Sequence, residues 1–492
     1  MINQLVVNAG WTRMALFCAS ASLLGACGEA PMDSSTAPST ERTLSAMDVE
    51  QPKDWDAELA LNIPIDINPD PDVLEIEMES VLADIEIVPG YTTPAWTYGG
   101  TIPGPLIRAK VGDRVIVHFK NSLPEATSIH WHGLRVNNQM DGVPGVTQDP
   151  VEVDGEFRYE FIVRDAGTYW YHPHINSAAQ VGWGMYGPIV VEDPDDPEEF
   201  GDDVVVVLSD MSLNEDGQFQ AVDSGGKFGD LFGREGSVIL VNGKVVPKLK
   251  VRTGKQQRWR VINAARARYY SLRVRDHTFT RIGGDNGLAA RSEEAYRVLV
   301  TPGERADLIF TPEDEPGSTR LVQWVPTDRG YGSMFSRPRE PMMEIVTVDE
   351  PPVVPAEIPV QLREIEPIDI SGDVVEELLD MTIDLGNNDV VMGFNGTPYW
   401  EMRPIEARVG ETHIWTLRNA TDFAHPFHLH GYFFQVLDEE RVPEWKDTVN
   451  VAVGEELKIA IHFDERPGMW MYHCHILDHA EVGMMGQLHV SE

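Results

Sequence analysis

The chain has 492 residues, 42% of them hydrophobic, and a formal net charge of −40. That length exceeds what one core holds and fits about three domains. A surface this acidic repels nucleic acid and anionic membranes, excluding them as partners bound through charge, and it concentrates cations.

From the N-terminus, Met14 to Ala26 is an apolar stretch preceded by a single charge, Arg13. It is too short to span a bilayer comfortably, which favours a cleaved signal over a transmembrane anchor. The run Leu24-Gly25-Ala26-Cys27 resembles a bacterial lipobox. Residues 1–26 are therefore predicted to be a lipoprotein-type signal peptide. Cys27 becomes the acylated point of membrane attachment, at the periplasm or cell surface. Residues 27–55, rich in Ser, Thr, Ala, Pro and acid, read as a disordered tether. Of the three cysteines only Cys474 is then left as a free thiol, so the folded body has no disulfide.

Downstream one pattern occurs three times. Val111-Gly112 through Asn121 is matched by Thr253-Gly254 through Asn263 and by Val409-Gly410 through Asn419. Each is a Gly, an alternating apolar/polar run and an Asn. Gly155-Glu156, Gly303-Glu304 and Gly454-Glu455 each open a second alternating run at nearly the same distance. Alternation marks a half-buried strand between turns, and no stretch carries a convincing helical period. The pattern predicts an all-β chain of three tandem β-sandwiches, at 56–195, 196–355 and 356–492. The boundaries fall near Asp193–Pro197 and Pro351–Pro359, both rich in Pro and acid.

The chemistry lies in four clusters that hold ten of the fifteen histidines. They are His130-Trp131-His132, His172-Pro173-His174, His425-Pro426-Phe427-His428-Leu429-His430 and His473-Cys474-His475-Ile476-Leu477-Asp478-His479. His130 and His132 lie nine and eleven residues after Asn121, and His428 and His430 lie nine and eleven after Asn419. The same offsets from Asn263 give Leu272 and Val274. Likewise Tyr171 to His174 answers Tyr472 to His475, whereas the middle repeat offers Val322-Gln323-Trp324-Val325. The outer repeats therefore carry ligands and the middle one is a metal-free spacer. A strand aims alternate side chains to one face, so four His-x-His pairs can bring eight imidazoles to one interface. Cys474 points the other way, and His425 and His479 complete a Cys-plus-two-His set. Met484, the tenth residue after the cysteine, is a weak axial candidate. Such a set is that of a blue-copper electron-transfer site. Cys474 is one peptide from both His473 and His475, which makes the backbone an electron path.

Together these motifs resemble the three-domain multicopper oxidases, the laccase-like family that includes bacterial cuprous oxidases. The resemblance runs from about Val73 to Glu492. It implies cupredoxin-like Greek-key sandwiches and four copper ions. Type 1 copper would take His425, Cys474, His479 and Met484, and type 2 would take His130 and His428. The type 3 pair would take His132, His172 and His475 on one ion, and His174, His430 and His473 on the other. Single electrons from a small reducing substrate would enter at type 1, and four would reduce O2 to water at the cluster, with Asp141 supplying protons. The substrate reads as a phenol or aromatic amine, with Cu(I), Fe(II) or Mn(II) as the alternative in copper tolerance or metal homeostasis, and the chain as a monomer. The resemblance places the substrate pocket over an exposed edge of His425 or His479, near Asp422 and Glu481. Many bacterial members carry Glu directly after the last type 1 His; here that position is Ala480. In an extended segment the one-residue shift to Glu481 would reverse its face. Met334, Met342 and Met343 read as core or loop residues, and His118, His277, His413, His462 and His489 as structural.

Overall fold

The computed structural model describes residues 43–44, 59–331, 337–386 and 389–492. The lipobox, Cys18, Met334 and all of the tether except Thr43 and Leu44 lie outside them. Six sheets fall into three successive pairs along the chain. In the first repeat one sheet runs Thr93–Tyr98, Val73–Ile85, Arg114–Asn121, Glu156–Ile162; the other runs Ile107–Lys110, Gly187–Glu192, Gly167–His172, His130–His132. The middle repeat packs a six-stranded against a five-stranded sheet, and the third packs two five-stranded sheets.

The two recurring sequence runs are one antiparallel pair in every repeat. Arg114–Asn121 lies against Glu156–Ile162, Gln257–Asn263 against Arg305–Phe310, and Thr412–Asn419 against Glu456–His462. Their inward residues build the cores: Val115, Val117, Phe119, Tyr159 and Phe161 in the first repeat, and Trp415, Leu417, Leu457, Ile459 and Ile461 in the third.

The Asn that closes each run is a buried clamp. Asn121 Nδ2 donates to the carbonyls of Glu125 and Val151, Asn263 to those of Arg268 and Val300, and Asn419 to those of Phe423 and Val451, all at 2.7–3.0 Å. Each Asn Oδ1 also accepts the backbone N–H two residues on, at 3.0 Å. A buried amide with its groups satisfied fixes the loop that leads into the next strand. In the outer repeats that strand carries the His-x-His pair.

Strand register then sets the histidines opposite one another: His130 faces His172, and His428 faces His473. In the middle repeat Leu272 faces Trp324, one residue later than the sequence alignment placed it. On its other side the strand of Trp324 pairs with Glu340–Thr347, where the register shifts between Val322 and Gln323 and leaves Met342 as the extra residue. Leu272, Trp324, Met342 and Met343 are core there. The segment after Cys474 is not extended, as the face argument for Glu481 supposed, but a short helix, Leu477–Glu481.

Candidate metal centre

Cys474 ends the strand Gly468–Cys474. Its N–H donates to the Met484 carbonyl at 3.0 Å, and the Met484 N–H donates to the His479 carbonyl at 2.9 Å. This brings His479 and the fully buried Met484 back beside the cysteine, with His425 opening the neighbouring strand. Cys474 Sγ is 3.6 Å from Nδ1 of both His425 and His479, and the two Nδ1 atoms are 3.1 Å apart. His479 Nε2–H donates to the Leu231 carbonyl at 3.1 Å. His425 Nε2–H donates to Thr421 Oγ1 at 2.8 Å, whose own proton goes to Asn419 Oδ1. A carbonyl only accepts, so each Nδ1 carries a lone pair. Two lone pairs and a sulfur this close repel unless a cation lies among them. Burial pushes the Cys474 thiol pKa up and that of His479 down to about 3, so metal binding here must release the thiol proton.

Cys474 and Met484 are fully buried. His425 and His479 are both 0% exposed, which corrects the expectation of a pocket over an exposed imidazole. The middle repeat covers His479 with the helix Gly226–Phe232, which contains Leu231. The Phe232, Tyr331 and Phe423 rings meet there with centroids 5.2 Å apart, and Phe228, 73% exposed, stacks on Phe232. Asp422 and Glu481 are at the surface.

Where the first and third repeats meet, His130, His132, His172, His174, His428, His430, His473 and His475 converge. Two stacks cross the interface, His130 on His430 at 3.9 Å and His132 on His428 at 3.8 Å. Carbonyls fix the tautomers. The Nδ1–H of His130, His172, His428 and His473 donates to Asp141, Pro173, Asp447 and Cys474 at 2.7–3.0 Å. Nε2 of His130, His172 and His428 is then a buried lone pair with no hydrogen-bond partner among the described residues. His430 Nδ1–H donates to Asp141 Oδ2 at 2.9 Å, so its Nε2 lone pair faces that of His473 at 3.1 Å. His132 is reversed: Nε2–H donates to Asp447 Oδ1 at 3.2 Å, and Nδ1 is bare. Both ring nitrogens of His475 are bare. An interior lined with bare lone pairs on neutral imidazoles fits several transition-metal ions, and with one thiolate site beside it the donor set suits copper.

Carboxylates flank the cluster. Asp141, fully buried, touches His430 and lies 3.4 Å from His130 Nδ1. Near Ala480, Asp478 is buried and taken up by Arg234 and Arg266, while Glu481 accepts a bond from Ser177. The second acid at the cluster is Asp447, which the sequence reading missed. Burial opposes its charge, but Arg305 and the bonds from His132 and His428 hold its pKa well below the usual carboxylate range. Asp447 does in the third repeat what Asp141 does in the first, offering its carbonyl to the leading His. It lies 17 residues past His430 whereas Asp141 lies nine past His132, so spacing hid the equivalence. The middle repeat adds no histidine, yet a Cβ on Gly303 would sit 2.7 Å from His475 Cδ2.

Multicopper oxidase family models match residues 82–196, 202–321 and 374–492. Multicopper oxidase MmcO of Mycobacterium tuberculosis is 30% identical, over 80% of this chain and 82% of its own. The chain belongs to the multicopper oxidase family. This multicopper oxidase is also similar to Laccase-2 of Cryptococcus neoformans, 28% identical over 80% of this chain and 81% of the relative. Its fold matches a Campylobacter jejuni multicopper oxidase, described as a metallo-oxidase, with a TM-score of 0.81 and 28% identity, covering 93% of this chain and 99% of the other. It is a copper-dependent oxidoreductase with O2 as acceptor, built of cupredoxin-like sandwiches.

Proposed function

We propose that this multicopper oxidase is laccase-like, taking single electrons from phenols or aromatic amines and passing four to O2 to give two waters. It would hold four copper ions. Type 1 copper would be held by His425, Cys474, His479 and Met484, and type 2 by His130 and His428. The type 3 ions would be held by His132, His172 and His475, and by His174, His430 and His473. Bound copper supplies the one-electron redox steps and the O2 chemistry. The chain supplies the path between its sites: Cys474 packs on His425 and His479, while its neighbours His473 and His475 turn to the cluster. That division of one strand end carries the reading. The His473 Nδ1–H bond to the Cys474 carbonyl adds a second link to the peptide between them. Asp141, bonded to His430, is placed to hold a proton for the water-forming reaction.

The cover over His479 supports an aromatic donor. Electrons reach His479 through the Leu231 carbonyl, beside an aromatic cluster that ends at the exposed Phe228. The sequence 212–236 around Leu231 holds no Met, His or Cys, the soft or imidazole ligands that select Cu(I). Oxidation of Cu(I), Fe(II) or Mn(II) is the second reading, supported by the net charge of −40 and by the Campylobacter relative described as a metallo-oxidase. O2 uptake measured with a phenol panel against the three ions separates them. A higher kcat/KM for a metal ion than for every phenol would replace the first reading, and no uptake with any donor in copper-loaded protein would overturn both. Metal analysis is expected to give four coppers per chain, and sedimentation a monomer. The Leu24 to Cys27 motif supports export and a lipid on Cys27, which labelled fatty acid absent from a Cys27→Ala variant would register.

A further inference from the structure

We propose that the middle repeat is part of the oxygen-reducing centre: its Arg305 is a positioning residue that clamps Asp447 and thereby orients His132 and His428. The inference rests on reading the eight-imidazole cluster as a copper site. Arg305 is fully buried, and its guanidinium is saturated. Nη1 donates to the Gly303 carbonyl and to Asp447 Oδ1, both at 2.8 Å. Nη2 donates to the Asp285 carbonyl at 2.8 Å and to Asp447 Oδ2 at 2.5 Å. Nε donates to the Thr168 carbonyl at 3.0 Å. These acceptors come from all three repeats. Two parallel bonds fix the plane of the Asp447 carboxylate, which a lysine, a point donor, cannot do.

The carboxylate so held lies against both histidines: its Oδ1 is 3.2 Å from His132 Nε2 and 3.4 Å from His428 Nδ1. Asp447 Oδ1 accepts His132 Nε2–H at 3.2 Å and the Thr448 hydroxyl at 2.8 Å. The Asp447 carbonyl accepts His428 Nδ1–H at 2.9 Å. One residue thus presents Nδ1 of His132, from the first repeat, and Nε2 of His428, from the third. General stabilisation does not account for the pair. A buried ion pair recovers little more than its own desolvation, and apolar residues of similar volume often serve as well. Asp141, the counterpart in the first repeat, has no arginine partner among the described residues, and its Oδ1 has no hydrogen bond. The arginine stands at the carboxylate that orients ligands from two different repeats.

Copper-loaded wild type, Arg305→Lys, Arg305→Met and Asp447→Asn would be titrated with a chelator. Type 1 and type 2 copper would be counted by electron paramagnetic resonance, with thermal unfolding of the metal-free proteins alongside. The expected result is type 2 copper held about 10–100-fold more weakly, most in Arg305→Met, less in Arg305→Lys, with the type 1 signal and blue colour retained. If Arg305→Met does not fold, Arg305→Lys and Asp447→Asn carry the same comparison. Variants with a lower metal-free Tm but wild-type type 2 affinity would overturn the proposal. Wild type that keeps copper only at Cys474 would overturn the cluster assignment on which it rests.

Discussion

A single side chain joins the two halves of this centre. Cys474 Sγ sits among the Nδ1 atoms of His425 and His479, and the residues on either side of it belong to the cluster. Serine is close in volume but offers a hard hydroxyl in place of a thiolate. Cys474→Ser is therefore expected to lose the blue absorption and all substrate oxidation while the cluster still loads copper; a variant that stays blue would sink the site assignment. His132→Ala is expected to do the opposite, keeping the colour and stopping O2 reduction, as stopped-flow reoxidation would register. Asp141→Asn keeps an oxygen to accept from His430 Nδ1–H but cannot hold a transferable proton. O2 reduction should slow by roughly 10²–10⁴-fold with an enlarged solvent deuterium isotope effect, and an effect no larger than in wild type would count against Asp141. The ligands were legible because the first His-x-His of each outer repeat sits at the same offset from its clamp Asn, and the second follows a Tyr in both. Asp447 and Arg305 were not, because their partners are hundreds of residues or a whole repeat away, and a charged residue at a strand edge reads as solvated.

Element by element, what could be read in advance was what repeats with a period of two. The recurring runs are visible because both strands of one antiparallel pair alternate, and their Gly turns punctuate them. The helix Leu477–Glu481 escaped notice: five residues give no period to detect. The covering of His479 by Gly226–Phe232 escaped for a different reason, since only the packing of one repeat on another creates it. The turn before Arg305–Phe310 shows how an ordinary strand echo acquires a second duty. Gly303 has φ +86°, and any Cβ there would press on His475 at 2.7 Å and on His132 Cε1 at 3.2 Å. Gly303→Ala should cost about 1–2 kcal/mol from the left-handed backbone alone. The clash should in addition displace His475, lowering type 3 copper occupancy without loss of the blue colour. Full type 3 occupancy in a merely destabilised variant would show that the turn is structural only.

For the molecule as a whole, ten cluster histidines inside one body make its stability depend on metal and pH together. In the metal-free protein burial pushes the pKa of His132, His172, His174, His425, His428, His430, His473, His475 and His479 down, with His473 and His479 at about 3. In the unfolded chain each titrates near 6.5. Between those values the unfolded chain binds more protons than the folded one, so stability is intact above about pH 6.5 and is lost as pH falls toward 3. Each histidine contributes a slope of at most ~1.4 kcal/mol per pH unit, so several together reach, over about two pH units, the roughly 5–15 kcal/mol that holds a typical domain folded. Bound copper needs the same imidazoles deprotonated and binds only the folded arrangement, so it resists this loss until protons displace it. Calorimetry from pH 7.5 to 5 should show the Tm of chelator-stripped enzyme falling steeply below pH 6.5 while that of the copper-loaded enzyme stays nearly level. Two parallel curves would mean that the stripped cluster takes up protons without unfolding, and that its histidines are not held neutral by the fold.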